Sequence, residues 1–302
     1  MPPRHPDPLP EPLEGVPFTT RMARSHSVGV GRLRNQDLDG RVYGVRATRG
    51  TSDDLVGKCR MYTVRLPEQT FFSHSTAARL LGIPLPSRLE RLTNLHVTVE
   101  APARAPHADG ILGHSRVVHP TDVVTGEYAL RVSSPARTFC EMGTALRLED
   151  LVAVVDHLIN KDRALATRSE LAERVAAGDR ITRSRHLSAA LELADDRAES
   201  PPESRLRVLC VLAGLPRPFA NYEVSHTASS RRFRLDLAWP ELKIAIEYHG
   251  DYHREPEQWR RDLTRKSHLE ADGWIVLELN AADMRDPDIL ASRIRATFAR
   301  RR

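Results

Sequence analysis

Two acids in the last third of the chain have the types and setting that hydrolytic metal chemistry needs. Asp236 stands among Leu235, Leu237 and Ala238, and Glu247 closes the apolar run Ile244-Ala-Ile246. Alternation over Phe233, Leu235 and Leu237 and again over Ile244 and Ile246 predicts two strands joined at Trp239-Pro240. Asp236 and Glu247 then fall at neighbouring strand ends, where two carboxylates can share one divalent cation. A hard ion on oxygen ligands, with a base or charge stabiliser beside it, is what phosphodiester hydrolysis requires. His249 and His253 follow at once, and an imidazole with a pKa of about 6.5 suits either task.

The elements that must position these residues are legible. Ser200-Pro-Pro-Glu203 opens a helix carrying Leu206, Leu209, Cys210, Val211 and Leu212, ended by Gly214 and Pro216. Glu203 has two compatible readings: a capping-box acid three residues after Ser200, or a ligand at the site. After the two strands comes a charged helix from about Pro256 to Ala271 with Arg260, Arg261, Arg265, Lys266 and His268. It reads either as a solvated face or as a phosphate-contacting surface. Gly273 ends it, Trp274 to Leu279 reads as a third, buried strand, and a last helix starts near Pro287. Asp236 and Glu247 keep the plainer alternative of acids at a solvated strand face, and the two histidines that of loop residues.

The order helix, strands, helix, strand, helix over about 200–302, with Glu203, Asp236, Glu247 and His249 where they stand, resembles the very-short-patch-repair-like endonuclease branch of the PD-(D/E)XK nuclease superfamily. The resemblance implies a restriction-endonuclease-like α/β domain. In it Asp236 and Glu247 hold Mg²⁺ or Mn²⁺, Glu203 assists, and His249 or His253 acts as base or steadies the phosphorane charge. It also offers Asp262 on the charged helix as a looser match. His249 stands where most of the superfamily has lysine. The same residues therefore leave a second class open: a non-catalytic DNA-binding regulator that keeps a nuclease fold.

Composition bounds the rest. At 302 residues the chain has room for about two domains. A hydrophobic fraction of 40% allows real cores, and a net charge of +5 suits a polyanionic partner. An aromatic content of 5% argues against stacking on single-stranded bases as the main binding mode. Cys59, Cys140 and Cys210 are isolated, without zinc spacing, as expected in a reducing cytoplasm. No apolar run reaches the roughly 18 residues of a membrane span. His74, His96 and His114 lie in separate predicted elements without ligand spacing, and ordinary packing is the expected role for each.

Residues 1–17 are expected to form a proline-rich, disordered lead. From Phe18 a short helix, a turn and second short helix over Val28 to Asn35, and a hairpin about Asp39-Gly40 suggest a winged helix-turn-helix over 18–50. Arg32 and Arg34 would lie on its recognition helix and Arg41 at the wing tip; the alternative is an arginine-rich surface on a small helical cap. Residues 51–199 read as mixed α/β, with strands over Met61 to Leu66 and Leu95 to Val99, and helices over Ser75 to Leu81, from Ser133, and over Leu148 to Ile159. Phe18-Thr-Thr-Arg, Tyr43-Gly-Val45, Ser73-His74 with Ala77-Ala78, and Ser134-Pro-Ala-Arg137-Thr resemble the abortive-infection antitoxin-like proteins of type IV toxin–antitoxin systems. That resemblance implies DNA binding and regulation and leaves a toxin partner open.

The combined expectation is an α+β and α/β multidomain protein with its main boundary near 199–200. It would bind double-stranded DNA through Arg32, Arg34 and Arg41, with Arg261, Arg265 and Lys266 at the second site. It would cut with Mg²⁺ or Mn²⁺ held by Asp236 and Glu247.

Overall fold

The computed structural model describes residues 6–178, 184–226, 231–250 and 256–301, with the backbone alone for residues 127 and 256–263. Two compact units divide the chain, Met1–Thr138 and Phe139–Arg302.

In the first unit, β1 (Phe18–Thr19) runs into α1 (Thr20–Ser25), whose first turn is capped by the Thr19 hydroxyl accepting from the Met22 N–H. With β2 (Leu38–Asp39) and β3 (Val45–Thr48) it makes an antiparallel sheet of order β1-β3-β2. The expected hairpin is therefore present, but the expected recognition helix is not. Only the 3-10 turn Arg32–Arg34 forms there. Gly29 and Gly31 disfavour helix by on the order of 1 kcal/mol each. The Arg32 guanidinium is turned inward, bidentate to Asp37 at 2.9 and 2.8 Å and bonded to the Asp7 carbonyl at 2.6 Å.

The rest of the unit is α2 (Leu55–Thr63), β4 (Phe71–Phe72), α3 (His74–Leu80), α4 (Ser87–Glu90), β5 (Leu95–Glu100), β6 (Ile111–Arg116), β7 (Val123–Thr125) and β8 (Arg131–Ser133). The five strands order as β6-β5-β4-β8-β7. The strand expected over Met61 to Leu66 is instead the end of α2. Asp54 caps that helix, accepting from the Gly57 N–H at 2.6 Å, and Cys59, Met61 and Tyr62 bury its inner face against Val97 and Leu95. A cap and a buried face outweigh the β preference of Tyr62, Thr63 and Val64. Gly57 is required there, since a Cβ would meet the Thr51 carbonyl oxygen at 1.5 Å.

Helix α5 (Pro135–Met142) carries the unit boundary. The second unit continues with α6 (Leu148–Ile159), α7 (Arg168–Ala177), α8 (Ser184–Leu193) and α9 (Pro201–Leu212). Then come β9 (Phe219–Ser225), β10 (Arg232–Trp239), β11 (Ile244–His249), α10 (Pro256–Ala271), β12 (Ile275–Asn280) and α11 (Pro287–Ala299). The sheet order is β12-β11-β10-β9, with β11 and β12 parallel and the other pairs antiparallel. Helix α10 is the crossover that a parallel pair needs. One core holds Leu206, Cys210, Leu237, Ile244, Ile246 and Phe298, and another holds Leu235, Ala238, Ala245, Leu269 and Trp274.

The expected order of elements after residue 200 is present, with two differences. An additional strand, β9, precedes the expected pair. The third strand, β12, is an edge strand whose Ile275, Val276 and Leu277 are half-buried rather than buried.

The unit also begins well before the boundary expected near 200. Arg207 of α9 and Asp156 of α6 form an ion pair at 2.6 Å with side chains 0% and 2% exposed. The other Asp156 oxygen accepts from the Asp195 N–H at 2.7 Å. Cutting the chain at 200 would leave Arg207 buried without its carboxylate.

Removing one partner of a buried pair costs about 3–5 kcal/mol, whereas replacing both with apolar groups can be neutral. Asp156→Ala should therefore lose stability of that order in urea denaturation. The double change Asp156→Leu with Arg207→Met should recover most of it. A fragment 200–302 should be insoluble or protease-labile; a stable one would contradict the shared packing.

Candidate active site

The antiparallel register pairs Leu237 with Ile246. Carried one residue on, it sets Asp236 beside Glu247. In the parallel register Glu247 stands beside Glu278. Three acids thus lie in a row across β10, β11 and β12. By the two-residue strand period Asp236 and Glu247 continue the face of Ala238 and Ala245, the one that packs with Leu269 of α10.

Each acid has a different environment. One Asp236 oxygen accepts from the Tyr248 N–H at 2.7 Å. Burial pushes its carboxyl up to about 6; the Tyr248 bond opposes this, and the charge on Glu203 adds to it. Glu247 is buried, and its Oε1 accepts from Arg265 at 2.7 Å. Glu278 accepts from Lys266 at 2.7 Å, which holds its carboxyl below the usual range, and lies 3.3 Å from His249 Nε2. Arg265 and Lys266, adjacent on α10, thus serve adjacent strands. Together with Leu269 and Val276 these side chains line a small pocket.

Glu203 is occupied by its cap. Its carboxylate accepts from the Ser200 hydroxyl at 2.6 Å, the Glu199 N–H at 3.1 Å and the Asn221 amide at 2.8 Å. It reaches Asp236 through its charge. The capping role read from the sequence is therefore present, and a role at the site belongs to the proposal below.

The donor set suits a hard cation. Mg²⁺ is commonly held by one or two carboxylates with water in its remaining positions, and Asp236 and Glu247 supply such a pair. The Asp236 carboxyl is raised mainly by its burial, with the charge on Glu203 a smaller contribution that Arg265 and Arg234 oppose. Three acids do not converge at one point, however. Among the described residues the group of three whose ligand atoms all lie within 4.8 Å is His74, His96 and His114.

The remaining expected contacts divide. His253 lies outside the described residues, as do the side chains of Arg261 and Asp262. Arg265 and Lys266 are pocket walls paired with acids, not free phosphate contacts. Arg265 also bonds the Arg234 carbonyl. In the first unit Arg32 is committed to Asp37, and Arg41 is bonded to Asp39 at 2.8 Å and to Asp53. Arg34 is exposed.

Sequence reasoning missed Glu278, Asn221 and the histidine group. Glu278 was visible as the one acid in the apolar run Trp274 to Leu279, but its place beside Glu247 comes from the parallel register, which the sequence does not reveal. Asn221 carried no signal, being placed by the unforeseen β9. The three histidines were expected to pack separately; the sheet and α3 bring their rings together.

The chain is 31% identical over 255 residues to Uncharacterized protein Rv2248 of Mycobacterium tuberculosis (strain ATCC 25618 / H37Rv). It matches Uncharacterized protein MT2308 of strain CDC 1551 / Oshkosh to the same extent. Each match covers 83% of this chain and 89% of the relative. No family model matches, and no solved structure matches significantly. No helix among the described residues is long and apolar enough to cross a membrane.

An acid whose folded pKa is raised binds more protons folded than unfolded at intermediate pH, so stability falls as pH rises. For Asp236 the window runs from about 4, the unfolded value, to about 6. In chelator, Asp236→Asn should be more stable than wild type at pH 8, by on the order of 1–2 kcal/mol, and equal to it near pH 4. Thermal melts across that range check this. Parallel pH profiles for the two proteins would contradict it.

Proposed function

The chain belongs to the family of these mycobacterial proteins, and for this member of it we propose a metal-dependent endonuclease acting on double-stranded DNA. The second unit would be a restriction-endonuclease-like domain with its hydrolytic centre at Asp236. The observation that carries the reading is the placement of Asp236, in the middle of β10, beside Glu247 near the end of β11, with the Asp236 carboxyl raised to about 6 by burial and the charge on Glu203.

Asp236 and Glu247 would hold Mg²⁺, which when bound supplies Lewis-acid polarisation of a phosphate and a water of lowered pKa. The chain's own groups do the rest. His249, whose Nε2 lies 3.3 Å from Glu278, would take a proton from the attacking water and release it to solvent, with Glu278 steadying the imidazolium. Lys266 and Arg265 line the pocket beside His249 and, though paired with Glu278 and Glu247 in the structure, would add positive charge near a phosphate that gathers negative charge. Lys266 thereby supplies the ammonium that His249 does not. Glu203, fixed by Ser200 and Asn221, keeps the Asp236 end of β10 electronegative. A bound cation would compete with Arg265 for Glu247.

That Arg265 pair is also the observation favouring a second reading. If Glu247 stays neutralised by Arg265, the domain serves as a non-catalytic DNA-binding scaffold. Net charge of +5 suits duplex DNA under either reading. In the first unit Arg34 is the retained candidate for phosphate contact in place of the expected recognition helix. Whether a toxin partner is bound stays with the resemblance alone.

With supercoiled plasmid and Mg²⁺ or Mn²⁺, wild type should nick, and EDTA or Asp236→Asn should abolish nicking. His249→Ala should slow it by about 10²–10⁴-fold, the usual worth of a positioned acid–base group, while leaving Mn²⁺-induced thermal stabilisation intact. No nicking on any duplex together with no metal-dependent Tm shift would leave the scaffold reading. In duplex titrations, Arg34→Ala should weaken binding and reduce the salt slope by about 1. Arg32→Ala should lower stability instead, since it loses the Asp37 pair. Unchanged affinity in Arg34→Ala would remove the first unit from the interface.

A further inference from the structure

The first unit brings three histidines to one point from three separate elements. His96 is on β5 and His114 on β6, a parallel pair in which Thr98 stands beside His114 and His96 beside Leu112. His96 and His114 therefore face the same side, one strand step apart along the chain direction. His74 opens α3, and α3 is tied to β5. The Ser73 N–H donates to the His96 carbonyl at 3.0 Å, the His96 N–H to the Thr76 hydroxyl at 2.8 Å, and the Thr98 hydroxyl to the Ser73 hydroxyl at 2.7 Å. These bonds set the His74 ring over the other two.

The three rings stack with centroids 4.1–5.2 Å apart and planes within 2–22° of parallel. His96 Nδ1 and His114 Nε2 are 2.9 Å apart. One ligand nitrogen from each ring lies within 4.8 Å of the others. His74 takes φ of +50°, a left-handed conformation that costs a non-glycine residue on the order of 1 kcal/mol or more and persists only where its surroundings impose it.

Apolar side chains would fill this space without three polar rings to satisfy and without a strained residue at the head of α3. The chemistry of the donors says what the arrangement suits. No carboxylate or thiolate belongs to the group. Neutral nitrogen donors suit zinc and its d-block neighbours and discriminate against Mg²⁺ and Ca²⁺. Zn–N bonds of about 2.0–2.1 Å need ligand nitrogens roughly 3.3 Å apart, so binding requires the three rings to turn out of their parallel stack until their lone pairs converge. The side chains are partly exposed, so a fourth position opens to water.

We infer that His74, His96 and His114 form a binding site for a d-block divalent cation of the Zn²⁺ class, completed by a water molecule. The site joins α3 to β5 and β6 and is independent of the hydrolytic centre proposed for the second unit. Two measurements on the full-length chain test it, after chelator treatment and desalting.

Titration with Zn²⁺ should show tight binding of a single equivalent. Binding should be unchanged in Asp236→Asn, weaker by at least about 100-fold in His114→Gln, and unaffected by millimolar Mg²⁺. Zinc X-ray absorption on wild type needs no variant, so it decides even if His114→Gln fails to fold. It should show three imidazole nitrogens and one light atom in the first shell. Absence of tight Zn²⁺ binding by folded wild type would overturn the site. So would undiminished binding by folded His114→Gln, or a first shell with sulfur or fewer than three imidazoles.

Discussion

A carboxylate buried beside other carboxylates is the constraint around which the second unit is built. Asp236 faces burial and the charge on Glu203 while standing next to Glu247, and its pKa rises to about 6 as a result. An arrangement of this kind is unfavourable unless something answers the charge. The chain answers it in parts. The Tyr248 amide takes one oxygen of Asp236. From one turn of α10, Arg265 reaches Glu247 and Lys266 reaches Glu278. The cations neutralise the two acids nearer the sheet edge and leave Asp236 as the acid whose charge is least offset. On the proposed reading a divalent ion would supply further counter-charge, and Arg265 and Lys266 would then stand near a phosphate.

The position of the acids depends on packing some distance away. Glu203 and Arg207 lie four residues apart on α9, and therefore on one face of it. Arg207 is fixed by Asp156 with both side chains essentially unexposed. That buried pair ties α9 to α6, and α9 in turn holds Glu203 against Asn221 of β9. Desolvating the pair is expensive, and a purely apolar contact could have done the packing. What the pair adds is register: Arg207 can sit in one place along α6, so Glu203 can too. Residues 139–199, which carried no functional signal of their own, are thereby part of what positions the site.

Much of the second unit was legible because its elements are locally self-consistent. Ser200 with two prolines and Glu203 starts α9, alternation marks β10 and β11, and Gly273 with φ of +82° ends α10. That pattern alone put Asp236 and Glu247 on neighbouring strands, but Asp236 lies in the middle of β10 rather than at the strand end expected. Glu278 could not, because its relation to Glu247 is a parallel register made across the whole of α10. Asp156 with Arg207 was equally hidden, since a buried pair leaves no local mark on either segment. In the first unit, local propensity misled twice. Met61 to Leu66 has strand composition, but Met61–Thr63 end a capped, half-buried helix and the next three residues turn away from it. Arg32 looked like a groove-facing cation but is held inward by Asp37. The histidines were hidden for the same reason as Glu278: three elements meet at a point that spacing cannot reveal.

The central claim is that Asp236 and Glu247 together hold a divalent ion. Anomalous diffraction from a crystal of the full chain soaked in Mn²⁺ reads it most directly. The account predicts a peak bridging the Asp236 and Glu247 carboxylates at about 2.1–2.3 Å, near the range for hard cations on oxygen, with the Arg265 guanidinium drawn off Glu247. A map with no peak there, and with Arg265 still paired to Glu247, would contradict it.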